Sequence, residues 1–171
     1  MLTDEKILRV ANQAAKTAAE VLGVDKYTVE LTNDPSAPED ALFNTLENKV
    51  LINLGTIEPF AVEIGMDDED KRLALKIAFV TYHEIRHAYQ KKAVEVYTIN
   101  QMLGGGVLPM LESKKKCEMW LENLKVDGPE VEQDADAFAW YLLSRVFKLE
   151  LIKTNKHLGI MKRKYDKVEI E

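Results

Sequence analysis

The sequence predicts a mainly helical α+β domain with a small, about three-stranded sheet packed on a long helix. Helical spacing of apolar residues occurs near both ends of the chain, and LALKIAFV at 73–80 predicts a helix buried on most sides. Between residues 26 and 54, short segments alternate polar and apolar side chains, which favours strands. The 171 residues, of which 46% are hydrophobic, can bury one core. We therefore expect a single domain over 1–171, with a tail from about residue 161 as a candidate flexible end.

The first elements follow from local capping and turn signals. Thr3 is placed to cap an amphipathic helix that ends near Gly23. Strands are expected at 26–32, 41–46 and 49–54. The last two flank Glu47 and Asn48 and are predicted to pair as a hairpin, because Asn tolerates a positive φ.

The later elements are helical. Asp67, Asp68 and Asp70 precede and open a helix predicted from about 68 to 94. The glycines at 104–106 form either a mobile cleft rim or a plain connector. Helices follow at 111–124 and 129–148, the second opening with Pro129 at a favoured first position, and a short charged tail begins at 149.

The central helix carries the motif His83-Glu84-Ile85-Arg86-His87. Residues four apart lie one above the other on a helix, so His83 and His87 can offer two imidazole nitrogens to one Zn²⁺. Glu84 lies beside them and can reach a metal-bound water. The alternative is a chance pattern in which both histidines face water. It is weakened because the chain has only three histidines and ionisable groups on a buried helix need partners.

A catalytic zinc site needs a third protein ligand. A His six residues after His87 would indicate a metzincin, but Ala93 stands there. The acidic face of the helix at 129–148 is the next place to look, because Glu132 and Asp136 are four residues apart, whereas Asp134 is expected to point elsewhere. By themselves, Glu132 and Asp136 could equally be solvated acids that complement the helix dipole.

HEIRH followed by EQDAD resembles the gluzincin-type zinc metallopeptidases, and in particular their small, soluble, minimal members. The resemblance lies in these two short motifs and implies a zincin-like domain. It implies that His83, His87 and Glu132 bind zinc and that Asp136 hydrogen-bonds a ligand histidine. Glu84 is then the general base that activates the metal-bound water.

This resemblance implies a peptidase, an endopeptidase rather than an exopeptidase, acting on a protein or peptide. A sheet edge would hold the substrate, with 49–54 as the candidate strand; an ordinary core hairpin is the alternative. Residue type makes His157 the first candidate donor to the developing oxyanion, and the other candidates are Tyr97, Tyr141 and Tyr165. A different class stays open, a catalytically silent metal-binding or protein-interaction module.

Composition limits the partners and the compartment. The formal net charge of -6 argues against nucleic acid as the main partner. No stretch has the continuous apolar run that a membrane span needs, and the N-terminus reads as an amphipathic helix rather than a signal peptide. The single Cys117 cannot form an internal disulfide. We therefore expect a cytoplasmic protein without a membrane partner.

Overall fold

The computed structural model describes residues 2–61, 67–124, 128–149 and 156–170. These residues form five helices and one three-stranded mixed sheet, which confirms the mainly helical α+β fold. In chain order the elements are α1 (Asp4–Leu22), β1 (Thr28–Thr32), β2 (Ala41–Asn44), β3 (Lys49–Asn53), α2 (Glu69–Met102), α3 (Lys114–Asn123), α4 (Pro129–Phe147) and α5 (Lys156–Tyr165). In the described ranges, no helix is both long and apolar enough to cross a membrane.

The predicted helix caps are confirmed. The Thr3 hydroxyl accepts a hydrogen bond from the Lys6 amide, and Gly23 ends α1 with a left-handed φ of 66°. The Asp68 carboxylate caps α2 in the same way. However, α2 continues to Met102, well past the predicted end near residue 94, because no helix breaker occurs before Gly104.

The sheet has the strand order β1-β3-β2, with β1 parallel and β2 antiparallel to β3. The predicted β2–β3 hairpin forms, and Asn48 takes the expected positive φ of 51°. The expectation that 49–54 is an open substrate-binding edge is wrong, because β3 is paired on both sides. Val50 and Ile52 of β3 are fully buried, as a central strand requires. Among the described residues β1 and β2 are the edge strands, and β2 is the one that contacts α2.

Helix α2 is the central element and contacts α1, α3, α4 and the strands β2 and β3. The buried hydrophobic residues that surround it form one continuous cluster. Ala135 and Ala139 on α4 are fully buried, and their small side chains let α4 pack closely on α2. This close packing brings the two sequence motifs together.

The end of the chain differs from the expected charged, flexible tail. α5 packs on α4, and Met161 and Tyr165 are only 2% and 5% exposed. Met161 and Tyr165 are four residues apart and so share one helix face. The two lysines and the arginine between them made the segment look like a charged tail rather than an amphipathic helix. Residues 150–155 and 171 of the predicted tail lie outside the described residues.

Candidate metal centre

Two helices bring three side chains to one point. His83 and His87 share a face in the middle of α2, and Glu132 comes from the first turn of α4. Nε2 of His83 lies 2.9 Å from Nε2 of His87 and 3.1 Å from Oε2 of Glu132. Nε2 of His87 lies 3.2 Å from the other Glu132 oxygen.

These three residues are close enough to hold a metal ion. In tetrahedral coordination at the usual zinc–ligand distance, neighbouring ligand atoms are about 3.3 Å apart. The observed separations of 2.9, 3.1 and 3.2 Å fall just short of that value. The donor set of two imidazoles and one carboxylate also fits zinc, so the residues present suit the ion that the motifs imply.

Both histidine rings are held by a second hydrogen bond. Nδ1 of His83 lies 2.8 Å from Oδ1 of Asp136, and Nδ1 of His87 lies 2.7 Å from Oε1 of Gln90. Carboxylate and amide oxygens accept hydrogen bonds, so each Nδ1 is the donor and each neutral ring directs the Nε2 lone pair to the cluster. Asp136 therefore lies where the resemblance placed it, whereas Gln90 was not anticipated.

The charges of the cluster influence one another. Burial lowers the pKa of His83, but the Asp136 and Glu132 carboxylates outweigh it and raise the pKa to about 10. The pKa of His87 is also raised, because Glu132 and Glu84 outweigh the effect of burial. When the rings are protonated, hydrogen bonds from the Nε2–H groups of His83 and His87 hold the pKa of Glu132 well below its usual range. Protons and a metal ion would therefore compete for the same nitrogen atoms.

Glu84 lies next to the three candidate ligands and is only 7% exposed. Burial raises the pKa of its carboxyl group, and the charges of His87 and His83 oppose that rise. The backbone N–H of Phe43 on strand β2 also lowers this pKa. A carboxylate with a raised pKa is suited to accept a proton and then return it.

The cluster opens into a cleft of about 390 Å³. Strand β2 forms one wall, and the start of α4 with the end of α3 forms the other. The cleft is lined by Glu39, Ala41, Leu42, Phe43, Thr45, His83, Glu84, His87, Leu124, Val131 and Glu132. Most of its wall is apolar, and apart from Glu39 its ionisable residues are the triad and Glu84.

The candidate oxyanion donors lie elsewhere. His157 is exposed on α5 and lines a second pocket with residues of α3 and α4, not the cleft. The Tyr97 hydroxyl binds Glu118, and the Tyr165 hydroxyl accepts from Arg86. Tyr141 is buried beside α5. Sequence reasoning selected these residues by type, and their helices direct them away from the cleft.

The glycine segment 104–106 does not line the cleft either. All three glycines have positive φ, between 74° and 90°. The side-chain amide of Asn100 closes this loop through two hydrogen bonds of 2.8 Å to the main chain of Leu108. The segment follows the C-terminal end of α2 and leads to α3, whereas His83 and His87 lie in the middle of α2.

Arg86 and Asp134 form a buried ion pair between the two motifs. The guanidinium donates from Nε and Nη2 to the two carboxylate oxygens, at 2.7 and 3.2 Å. Asp134 thus does point away from the triad, but into the protein rather than to solvent. Helical spacing could have predicted Gln90 as a partner of His87, because the two residues are three apart and share one face of α2. The partner of Arg86 is distant in sequence and had no such signal.

Comparison of the chain with protein-family models, with curated proteins and with solved structures found no match. The likeness to gluzincin-type metallopeptidases therefore depends on the HEIRH and EQDAD motifs and stays a prediction.

Proposed function

We propose that this protein is a zinc-dependent peptidase with His83, His87 and Glu132 as the zinc ligands and Glu84 as the general base. The observation that carries the proposal is the Glu84 carboxylate, which lies buried beside the triad in the same cleft. A metal site with a purely structural role has no use for an ionisable carboxylate at this position. Its burial costs free energy that a catalytic role would account for.

The chain's own residues support hydrolysis of a peptide bond. When bound, zinc lowers the pKa of a water molecule and polarises a carbonyl group. Glu84 takes a proton from the attacking water and returns it to the leaving amine. Asp136 and Gln90 hold the two imidazoles in the ligating orientation during these transfers.

The free edge of β2 supports a peptide substrate in an extended conformation. The main-chain N–H of Asn53 donates to the Asp40 carbonyl, so residues 40 and 53 are a hydrogen-bonded pair. Hydrogen-bonded and non-hydrogen-bonded pairs alternate from there along β2 and β3. Main-chain groups of Leu42 and Asn44 therefore face β3, and those of Ala41 and Phe43 face outward. An added strand can bind there by hydrogen bonds to the remaining main-chain groups, because the Phe43 N–H is directed to Glu84. Because a whole strand bounds the cleft, we propose cleavage within a chain, as by an endopeptidase.

Replacement of Glu84 by Gln tests this function. The zinc-loaded wild type should cleave members of a peptide library, as read by mass spectrometry, and Glu84→Gln should keep zinc but lose cleavage. Glu95→Gln is the matched control, since Glu95 is an exposed carboxylate on the same helix and should leave cleavage unchanged. Unchanged proteolysis in Glu84→Gln would refute the mechanism. Zinc-loaded wild type without any cleavage would favour the silent metal-binding or interaction module.

We also propose a cytoplasmic setting. Cys117 is the sole cysteine and is fully buried as a free thiol. Burial raises the pKa of that thiol, which suits a packing residue rather than a nucleophile. A chain without disulfides is typical of a reducing compartment.

A further inference from the structure

We propose that Gln90, Asp134 and Arg86 form a relay of positioning residues that fixes the His87 imidazole for metal binding. The inference rests on the proposed metal site and does not depend on peptidase activity. In this relay, Arg86 holds Asp134, Asp134 holds Gln90, and Gln90 holds Nδ1 of His87. The orientation of one metal ligand is thereby set by three residues that do not themselves contact the metal.

The orientation of the Gln90 amide is determined by its surroundings. Its Nε2 group donates to the Val131 carbonyl and to Oδ2 of Asp134, both at 3.0 Å. Both partners are acceptors only, so the NH₂ group must face them and the Oε1 atom must face His87. Nδ1 of His87 then has to be a donor, at 2.7 Å from Oε1. Neutral His87 consequently presents an unprotonated Nε2 to Glu132.

The Asp134 carboxylate is saturated with donors. Oδ2 accepts from Arg86 Nε at 2.7 Å and from Gln90. Oδ1 accepts from Arg86 Nη2 at 3.2 Å and lies 2.9 Å from the Lys116 ammonium. A carboxylate with four contacts from three residues cannot rotate without loss of charge-assisted hydrogen bonds, so it presents one fixed acceptor to Gln90.

Arg86 is the fixed end of the relay. Its side chain is 0% exposed, and its remaining Nη1 group donates to the Tyr165 hydroxyl at 2.8 Å. The guanidinium lies among aromatic rings, with centroids 4.7 Å away for Tyr89 and 5.3 Å away for Phe138. These rings and the Tyr165 hydroxyl leave the guanidinium no alternative position. The fixed guanidinium therefore holds the orientation of Asp134 and, through it, of Gln90.

A double-mutant cycle on zinc affinity tests the relay. In competition with a chromophoric chelator, Gln90→Met should lower zinc affinity ten- to hundredfold, the usual effect of losing a hydrogen bond to a ligand histidine. Asp134→Asn should lower it by no more than that. Because Asp134 acts through Gln90, the double variant should match Gln90→Met alone. Losses that multiply, or an affinity of Gln90→Met within twofold of the wild type, would overturn the relay.

A control and a metal-free measurement separate this inference from the proposed function. Thr81→Val alters a buried α2 residue whose hydroxyl binds the Ile77 carbonyl, and it should leave zinc affinity unchanged. In the metal-free protein, proton–nitrogen NMR should show a protected, downfield His87 Nδ1–H signal that Gln90→Met abolishes. An unchanged signal in Gln90→Met would overturn the relay even if the wild type bound no zinc.

Discussion

The ion pair between the two motifs allows a quantitative prediction for Asp134→Ala. The side chain of Arg86 is 0% exposed and that of Asp134 is 8% exposed, so removing the carboxylate leaves a buried, uncompensated guanidinium. Glu112 lies 4.0 Å from Nη2 but is already paired with Lys164. Loss of one partner of a buried pair costs about 3–5 kcal/mol. For a chain of this size, that lowers Tm by roughly 6–20 °C.

The pH dependence of this loss has a definite sign. Burial raises the pKa of Asp134, but Arg86 and Lys116 outweigh it and hold the pKa well below its usual range. A lowered folded-state pKa gives stability that is present above the unfolded value of about 4 and is lost as pH falls through the folded value. The difference between wild type and Asp134→Ala should therefore be constant from about pH 5 to 8 and shrink in stronger acid.

Urea unfolding of the metal-free proteins in EDTA measures both effects. Glu130→Ala is the control, because Glu130 is an exposed carboxylate in the first turn of the same helix and should change the free energy of unfolding little. A loss of less than about 1 kcal/mol in Asp134→Ala at pH 7 would refute the reasoning, since a buried unpaired charge costs more than that. A difference that persists undiminished in strong acid would refute the pKa assignment.

Three further predictions concern the site and its support. Asp136→Ala removes the acceptor for Nδ1 of His83, so zinc affinity should fall ten- to hundredfold in chelator competition; unchanged affinity would show that the ring needs no such partner. Because the pKa of His83 is raised to about 10, zinc binding at pH 7 should release protons, which calorimetry in buffers of different ionisation enthalpy detects. Equal heats in all buffers would contradict this. Tyr165→Phe should destabilise the protein by about 1.5–3 kcal/mol, as it leaves a buried donor of Arg86 unpaired; thermal unfolding indistinguishable from wild type would exclude that role.

The parts of the site that sequence alone predicted are those set by local helix geometry. His83 and His87 are one turn apart, as are Glu132 and Asp136, so each pair shares a helix face wherever the helix lies. The structure brings these four residues together. Their roles came from the likeness of the motifs, and the metal-ligating role still requires experiment.

The parts that sequence did not predict depend on contacts between distant segments. Arg86 and Asp134 are 48 residues apart, and the spacing of residues within either motif does not predict that these two side chains form a pair. Likewise, alternating polar and apolar residues predicted the strands but not their order, because alternation specifies a face and not a neighbour. β3 therefore proved central, and β2 provides the free edge at the cleft.

Zinc content of the purified protein tests the central claim most directly. Elemental analysis after exposure to zinc and removal of excess metal should find close to one zinc per wild-type chain. His87→Ala and Glu132→Ala should lose that zinc, whereas Glu130→Ala, the exposed control on α4, should retain it. A wild type that stays metal-free, or a Glu132→Ala variant that keeps its zinc, would contradict the three-residue site.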